Sequence, residues 1–348
     1  MESAVSFEPP AVQDPNAPET VLRYLTSPWF GLIAELHDII HSTTVRYAGE
    51  QGLKNLYLPV TTRTITCPTA LGSDSEPVPV TVAGVRTYLA DSMQFALEYG
   101  CRLAPGGCYT IMPSFRGEKP DETHLGQFTH SEAEIPGDLE DLIRYVNGYV
   151  KALATAIMER AGERLEATGR ETTHLRRMID HTGPFARLTF EEAVAIVGDT
   201  DGTVRDAGTW RTFTRKGERL LMERVSEFVW VHHFDNLAVP FYQAFGDDEA
   251  RTAKAADLYF GMGEVVGAGE RHRDATQLRR SMALHGINEA EYDWYARMKQ
   301  ELPMVTSGFG MGIDRFLMWV LRHDDIRDVP LISRVGEPEE WPAAVVRP

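Results

Sequence analysis

Three glycines alternate with larger residues late in the chain, at Gly308, Gly310 and Gly312. Glycine at every second position lets a flat ligand lie close to the backbone, because no Cβ atom intervenes. Arg315 follows at the start of an apolar run, where its planar guanidinium could stack on a base or hold a phosphate. Close packing of two backbones would need the same glycines, so this pattern alone does not identify a ligand.

A second group of chemically capable residues lies far upstream, at Arg116, Glu118 and His124. Residues 107–116 and 127–134 read as two antiparallel strands joined by a polar loop, which would carry His124. Arg116 and Glu118 are two apart and are predicted to project from one face of the first strand, where an ion pair is the alternative to a binding role. The second strand is predicted to place four residues on one face: Phe128, His130, Glu132 and Glu134.

Two carboxylates are predicted to face each other across a hairpin, those of Asp257 and Glu264. A two-residue turn at Phe260 and Gly261 would pair them directly. Opposed like charges repel unless something positive lies between them. Magnesium held by these carboxylates and by ATP phosphates would resolve the repulsion, and two solvated carboxylates at a hairpin tip are the alternative.

The elements that must position these residues follow from the apolar periodicity. A helix is predicted from Pro28 to about Tyr47, then a long helix that opens near Asp138. Residues 137–225 are predicted to be mostly a helical insertion, with an exposed polar loop at 199–217. Strands are predicted to return at four segments: 228–233, 240–245, 256–260 and 264–266. An antiparallel sheet drawn from both ends of the chain, with helices between, predicts an α+β fold rather than parallel βαβ units.

Composition narrows the class of protein. The chain has 348 residues, a formal net charge of −16 and three cysteines without metal-ligand spacing. This cysteine usage suits a reduced cytoplasm, and the sequence contains neither a membrane-length apolar run nor a secretion signal. The acidic balance argues against a large polyanion such as tRNA as a partner. Residues 1–27, rich in proline, are predicted to form a leader.

The motifs resemble those of class II aminoacyl-tRNA synthetases, in particular the aspartyl/asparaginyl branch. Residues 115–118 and 124–128 resemble motif 2, residues 308–315 resemble motif 3, and the resemblance extends over 28–335. It implies an antiparallel sheet flanked by helices in one catalytic domain, 28–348. It also implies a homodimer, because the helix from Pro28 and a short strand predicted over 53–58, ended by Pro59, resemble motif 1.

The resemblance implies roles for the residues of this chain that match the motifs. Arg116 would bind the α-phosphate and the reacting carboxylate, Glu118 would hold adenine or the amino group, and Arg315 would cover the base. The implied ATP-binding set is His124, Phe128, Gly312 and Arg315, and the implied magnesium ligands are Asp257 and Glu264.

The amino-acid pocket would be formed by segments that resemble those of the same branch. Ser92 and Gln94 match its serine and glutamine, and Arg271 matches the arginine that binds the substrate side chain. Leu97 replaces the lysine of the aspartyl enzymes, whereas Glu98 matches the asparaginyl pattern, in which a glutamate binds the amide nitrogen.

Those enzymes carry an N-terminal anticodon-binding barrel, whereas at most 27 residues precede the resembling region here. The sequence therefore predicts a tRNA-independent ligase that adenylates aspartate with ATP and transfers it to ammonia, as the archaeal-type asparagine synthetases do. Arg271 would then hold the α-carboxylate and Glu98 the ammonium. Three alternatives stay open: another small-molecule or protein amine as acceptor, a truncated synthetase, and a non-catalytic paralogue.

Overall fold

The computed structural model describes residues 7–10, 18–66, 69–73, 75–200 and 202–332. Its helices are α1 (Pro18–Leu25), α2 (Pro28–Glu50), α3 (Gln94–Gly100), α4 (Leu139–Ala167), α5 (Thr173–Asp180), α6 (Phe190–Val197), α7 (Arg215–Arg224), α8 (Ala275–His285), α9 (Asp293–Glu301) and α10 (Ile313–Leu321). Its strands are β1 (Lys54–Asn55), β2 (Thr61–Thr62), β3 (Val78–Val82), β4 (Val85–Leu89), β5 (Cys108–Phe115), β6 (Gln127–Pro136), β7 (Ala186–Thr189), β8 (Val204–Asp206), β9 (Arg211–Phe213), β10 (Val229–His232), β11 (Ala255–Phe260), β12 (Gly263–Glu270) and β13 (Thr306–Gly312).

One eight-stranded sheet organises the fold, in the order β1-β5-β6-β13-β12-β11-β10-β7. The central strands are antiparallel, as predicted, and β6 from the first half of the chain pairs with β13 from its end. Both outermost pairs, β1 with β5 and β10 with β7, are parallel. The α+β prediction is confirmed, and the sheet is mixed rather than purely antiparallel.

Helices α2 and α4 pack against each other, and α4 also contacts β12 and β13. Proline at the start of α2 and apolar residues at helical spacing explain that helix, since Leu32, Ile33 and Leu36 are fully buried. Asp138 caps α4 through a reciprocal capping box with Asp141. Both predicted helix starts are confirmed, and these helices cover one face of the sheet.

The segment 137–225 holds α4, α5, α6 and α7, but it is not purely helical. Its strand β7 joins the main sheet beside β10, and β8 and β9 form a hairpin where a polar loop was predicted. Similarly, α1 lies inside the predicted leader. The boundaries proposed for the leader and the insertion remain predictions.

Two predicted strands differ in the structure: one ends earlier than expected, and the other does not form a strand. β5 stops at Phe115, so Arg116 and Glu118 lie beyond it, although the Arg116 amide still donates to the Gly126 carbonyl at 3.0 Å. Residues 240–245 make only isolated bridges, to Arg271 and Ala253.

None of the helices in the described ranges is long and apolar enough to cross a lipid bilayer.

Candidate active site

A cavity of about 670 Å³ lies over the central strands of the sheet. The predicted site residues that line it are Ser92, Gln94, Arg116, Glu118, His124, Phe128, Asp257, Glu264, Arg271, Gly312 and Arg315. Glu98 is not among the described residues in its wall. A second cavity, of about 500 Å³ beside β8 and β9, is lined by none of the predicted site residues within the described part of the chain.

At one end of the cavity Arg116 lies over an aromatic ring. Its guanidinium carbon is 5.4 Å from the centroid of Phe128, within cation–π range. Glu118 lies 4.0 Å from the guanidinium of Arg116 and accepts a hydrogen bond from the Glu76 amide at 3.0 Å. Although neither Arg116 nor Glu118 is on a strand, the structure brings both beside Phe128, where a planar ligand could lie.

The side chain of His124, in the loop after β5, contacts a residue of the segment 137–225. Its Nδ1 is 3.1 Å from a carboxylate oxygen of Asp121 and 3.2 Å from the guanidinium of Arg215, on α7. Burial and the nearby Arg315 lower the pKa of His124, against the opposing effect of Asp121. The imidazole therefore has one carboxylate, that of Asp121, and two guanidinium groups, those of Arg215 and Arg315, around it, and the two cations suit an anionic ligand.

Arg315 lies in the first turn of α10, directly after the glycine strand β13. Gly312 is the N-cap of that helix, so its backbone leads from the sheet into the turn that carries Arg315. The Arg315 guanidinium donates to the Glu264 carbonyl at 2.9 Å, which ties it to β12. The structure thus places Arg315 at the start of the apolar run, which forms α10, and it shows that the glycine run is a strand, which was not predicted.

The carboxylates of Asp257 and Glu264 converge, but by a register different from the predicted one. The turn is at Gly261 and Met262, a bulge follows, and Asp257 pairs with Gly267 while Tyr259 pairs with Glu264. A Cβ atom on Gly267 would lie 3.0 Å from an oxygen of Glu264 and 3.7 Å from one of Asp257. The direct pairing was wrong; the bulge and the missing side chain let the two groups meet over Gly267.

Burial and repulsion from Glu264 raise the pKa of Asp257 well above its usual range. A third carboxylate, that of Glu218 on α7, adds to this repulsion, and burial together with Glu264 raises its own pKa to about 7. Sequence reasoning missed Glu218, because no local signal places α7 against β12.

The described residues contain no cluster of three or more acidic, histidine or cysteine side chains that could hold a metal alone. A hard cation sharing Asp257 and Glu264 with phosphate oxygens nevertheless fits these donors.

At the other end of the cavity Arg271 is held by three neighbours. It contacts Glu134 at 3.0 Å and Gln243 at 2.9 Å, and it also donates to Gln94. Burial disfavours the Arg271 charge, but Glu134 outweighs it and raises the pKa of Arg271. Gly308 makes room for the group, since a Cβ there would lie 2.7 Å from the Arg271 guanidinium.

Glu132 is a further site residue that was not assigned a role from the sequence. It is 1% exposed, lines the cavity, and accepts hydrogen bonds from the Met93 amide at 2.8 Å, from Gln94 at 3.1 Å and from Ser92. The predicted alternation on β6 was the available signal, because it put Glu132 on the face shared with Phe128. This carboxylate gives the pocket a negative group suited to an ammonium.

Glu98 is placed differently from its predicted contact with substrate. Its carboxylate contacts Lys299 at 2.5 Å and Arg102 at 3.1 Å, and it accepts a hydrogen bond from Tyr295. Burial raises the pKa of Glu98, but the two cations outweigh burial and lower it. The Glu98 side chain is 1% exposed and both of its oxygens accept hydrogen bonds. It therefore lies behind the cavity wall, where it can hold neighbouring residues in place but does not face the cavity.

The geometry can be compared with known proteins. The family model for class II tRNA synthetases (D, K and N) matches residues 36–335. The chain belongs to this family. The asparagine–tRNA ligase of Chloroflexus aurantiacus is 31% identical over 250 residues, which is 70% of this chain and 56% of the relative. That of Thermus thermophilus is 28% identical over 304 residues, 85% of this chain and 68% of the relative.

Solved structures of the same family share the fold. The asparaginyl-tRNA synthetase of Pyrococcus horikoshii, complexed with asparaginyl-adenylate, superposes with a TM-score of 0.81 at 23% identity and covers 97% of this chain and 76% of that one. The aspartyl-tRNA synthetase of Entamoeba histolytica gives 0.71 at 19% identity, covering 91% and 62%. The class II fold predicted from the motifs is confirmed. The chain spans just over half the length of the Chloroflexus relative.

Proposed function

We propose that this class II synthetase-like protein is an ATP-dependent ligase that adenylates aspartate and transfers it to ammonia, releasing AMP. One observation carries the adenylation step: a single cavity joins Arg116, Phe128 and Arg315 at one end to Arg271, Gln94 and Glu132 at the other. The first set suits a nucleotide, and the second suits an amino acid with a carboxylate and an ammonium. A nucleotide and an amino acid can therefore meet within one enclosure.

Arg116 would neutralise the α-phosphate as the substrate carboxylate attacks it and pyrophosphate leaves. A fixed guanidinium at developing negative charge is electrostatic stabilisation of the transition state. Phe128 and Arg315 would lie on the two sides of adenine, and His124 would meet the terminal phosphate. Asp257 and Glu264 would hold Mg²⁺, which would supply positive charge to the ATP phosphates.

Aspartate would enter with its α-carboxylate on Arg271 and its ammonium near Glu132. A guanidinium binds a carboxylate in a bidentate manner, and Glu132 is already aligned by Ser92 and Gln94. The β-carboxylate would then point toward Arg116. The predicted ammonium site at Glu98 is not retained, because that carboxylate is bonded to Lys299, Arg102 and Tyr295.

The proposal of a small acceptor rather than tRNA is supported by charge. The loop at the nucleotide end carries three acidic residues, Glu118, Asp121 and Glu122, against two basic ones, Arg116 and Lys119, and the whole chain has a net charge of −16. Such a surface opposes a polyanion. The second candidate, a tRNA ligase, is favoured by the names of the relatives, which are asparagine–tRNA ligases.

The decisive experiment is tRNA-free. The protein would be incubated with ATP, Mg²⁺, aspartate and isotopically labelled ammonium, and the products read by mass spectrometry. Labelled asparagine with AMP is expected. Pyrophosphate exchange with asparagine but not aspartate, together with charging of tRNA, would establish the second candidate instead. Absence of exchange with either amino acid would refute adenylation of both.

A homodimer through α2 and β1 belongs to the same proposal. Val45 on α2 is 42% exposed and Tyr57, just after β1, is fully exposed, so this region presents apolar surface. Light scattering on the purified protein should give twice the chain mass.

A further inference from the structure

The imidazole of His130 lies midway between the two ends of the cavity. On β6 it follows Phe128 and precedes Glu132 by two residues each, and all three line the cavity. Because alternate residues of a strand face the same way at spacings of about 7 Å, His130 lies between the proposed nucleotide and amino-acid positions. The reacting carbonyl of an aminoacyl adenylate would occupy this region.

The ring is oriented by two contacts. Nδ1 of His130 is 2.9 Å from the hydroxyl of Ser114, and the ring packs edge-on against Phe128 with centroids 4.7 Å apart at 88°. The tautomer in which Nδ1–H donates to Ser114 leaves a lone pair on Nε2. His130 and Gly310 both line the cavity, and a Cβ atom on Gly310 would contact Nε2 at 4.0 Å. No described residue forms a hydrogen bond with Nε2.

The charged groups around the ring come from three elements. Arg116 follows β5, Arg315 is on α10, and Glu132 on β6 has a carboxylate oxygen 3.8 Å from Nδ1. Burial and the two arginines lower the pKa of His130 to about 3, so the free protein holds it neutral. An adenylate phosphate between those arginines would offset their charge and make the imidazole more basic once the intermediate has formed.

We infer that Nε2 of His130 accepts the proton that an attacking amine loses when the aminoacyl adenylate becomes an amide. This rests on the proposed function. The amine nitrogen forms a bond to the acyl carbon, the bond from that carbon to the phosphate oxygen breaks, and its electron pair leaves with AMP. One N–H proton passes to Nε2 and then to water. Adenylation does not need this base, because the attacking carboxylate is already an anion.

The test separates the two half-reactions in the wild-type protein, His130→Gln and Ser114→Ala. Adenylation is measured by pyrophosphate exchange, and transfer by single-turnover AMP release after ammonium chloride is added to the preformed enzyme-bound adenylate. Since general base catalysis contributes about 10²-fold or more, H130Q should lower transfer by about 10²-fold and exchange by less than tenfold. S114A keeps the imidazole of His130 but removes the hydroxyl that selects its tautomer. This variant should lower transfer by a smaller factor.

At a constant concentration of free NH3, wild-type transfer should also rise with pH through the ionisation of the imidazole, and that limb should vanish in H130Q. Equal losses in both half-reactions, or unchanged transfer in H130Q, would overturn the role of His130 while leaving the ligase intact. A wild-type protein that shows no exchange would instead refute the proposed function. Unfolding midpoints of both variants identify any loss that comes from misfolding.

Discussion

The guanidinium of Arg271 meets the carboxylate of Glu134 at 3.0 Å in the wall of the cavity, with their side chains 2% and 0% exposed. The pair is buried, yet Arg271 also lines the cavity. A buried guanidinium held in this way is pre-oriented for a carboxylate, since it does not have to be ordered when the substrate binds.

Replacing Arg271 by lysine should therefore impair amino-acid activation more than ATP binding. Lysine lacks the planar group that reaches Glu134, Gln94 and Gln243 at once. Because one charge-assisted hydrogen bond contributes about 1.5–3 kcal/mol, we expect kcat/KM for aspartate in pyrophosphate exchange to fall at least about tenfold. KM for ATP should change less. Arg297→Lys, at an exposed ion pair, is the control, and equal effects in both variants would contradict the assignment.

Glu98 is expected to matter for stability rather than for acceptor binding. Glu98→Gln leaves Lys299, which is 0% exposed, without a charged partner, and breaking a buried pair costs about 3–5 kcal/mol. Adding Lys299→Met should recover part of that loss in urea unfolding, because the orphaned charge is then removed. A raised KM for ammonium in E98Q without loss of stability would favour the sequence-based assignment.

Asp257→Asn should separate stability from activity. It replaces a buried carboxyl group whose ionised form is disfavoured by burial and by repulsion from Glu264 and Glu218, so the unfolding midpoint of the free protein at pH 8 should rise. Pyrophosphate exchange should fall by about 10²-fold or more, since a metal ion at transferring phosphates is worth several kcal/mol. Asp324→Asn, at an exposed carboxylate, should change neither. A lower midpoint in D257N would show that the repulsion argument is wrong.

The stability of the protein should depend on pH through Glu218. The pKa of this carboxyl rises from 4.5 to about 7 in the folded state, so the folded protein binds the proton more tightly than the unfolded chain. Deprotonation then costs stability progressively between about pH 4.5 and 7, and the full cost applies above pH 7.

Glu218→Gln should accordingly stabilise the free protein by about 1–3 kcal/mol at pH 8, with no gain at pH 4. Urea unfolding at several pH values measures this difference. Glu223→Gln, an exposed position on the same helix, is the matched control. A gain that does not vary with pH would exclude the titration of Glu218 as its cause.

The sequence by itself determined the chemistry available and much of the local structure. Alternation on β6 put Phe128, His130 and Glu132 on one face, and the capping residue Asp138 starts a helix as predicted. These patterns are readable because a strand repeats every two residues and a helix start needs a side-chain acceptor, both within a few positions of the chain.

Tertiary structure decided which of those residues face the cavity. The turn lies one residue later than predicted and a bulge follows Leu258, so together they move the partner of Asp257 from Glu264 to Gly267; register depends on neighbouring strands as well as on the turn. Glu218 reaches Glu264 only once α7 packs on β12. Glu98 looks like a substrate ligand until Lys299, two hundred and one positions away, neutralises it. Local periodicity carries no information about such distant partners, so only the packed chain assigns these carboxylates to binding or to support.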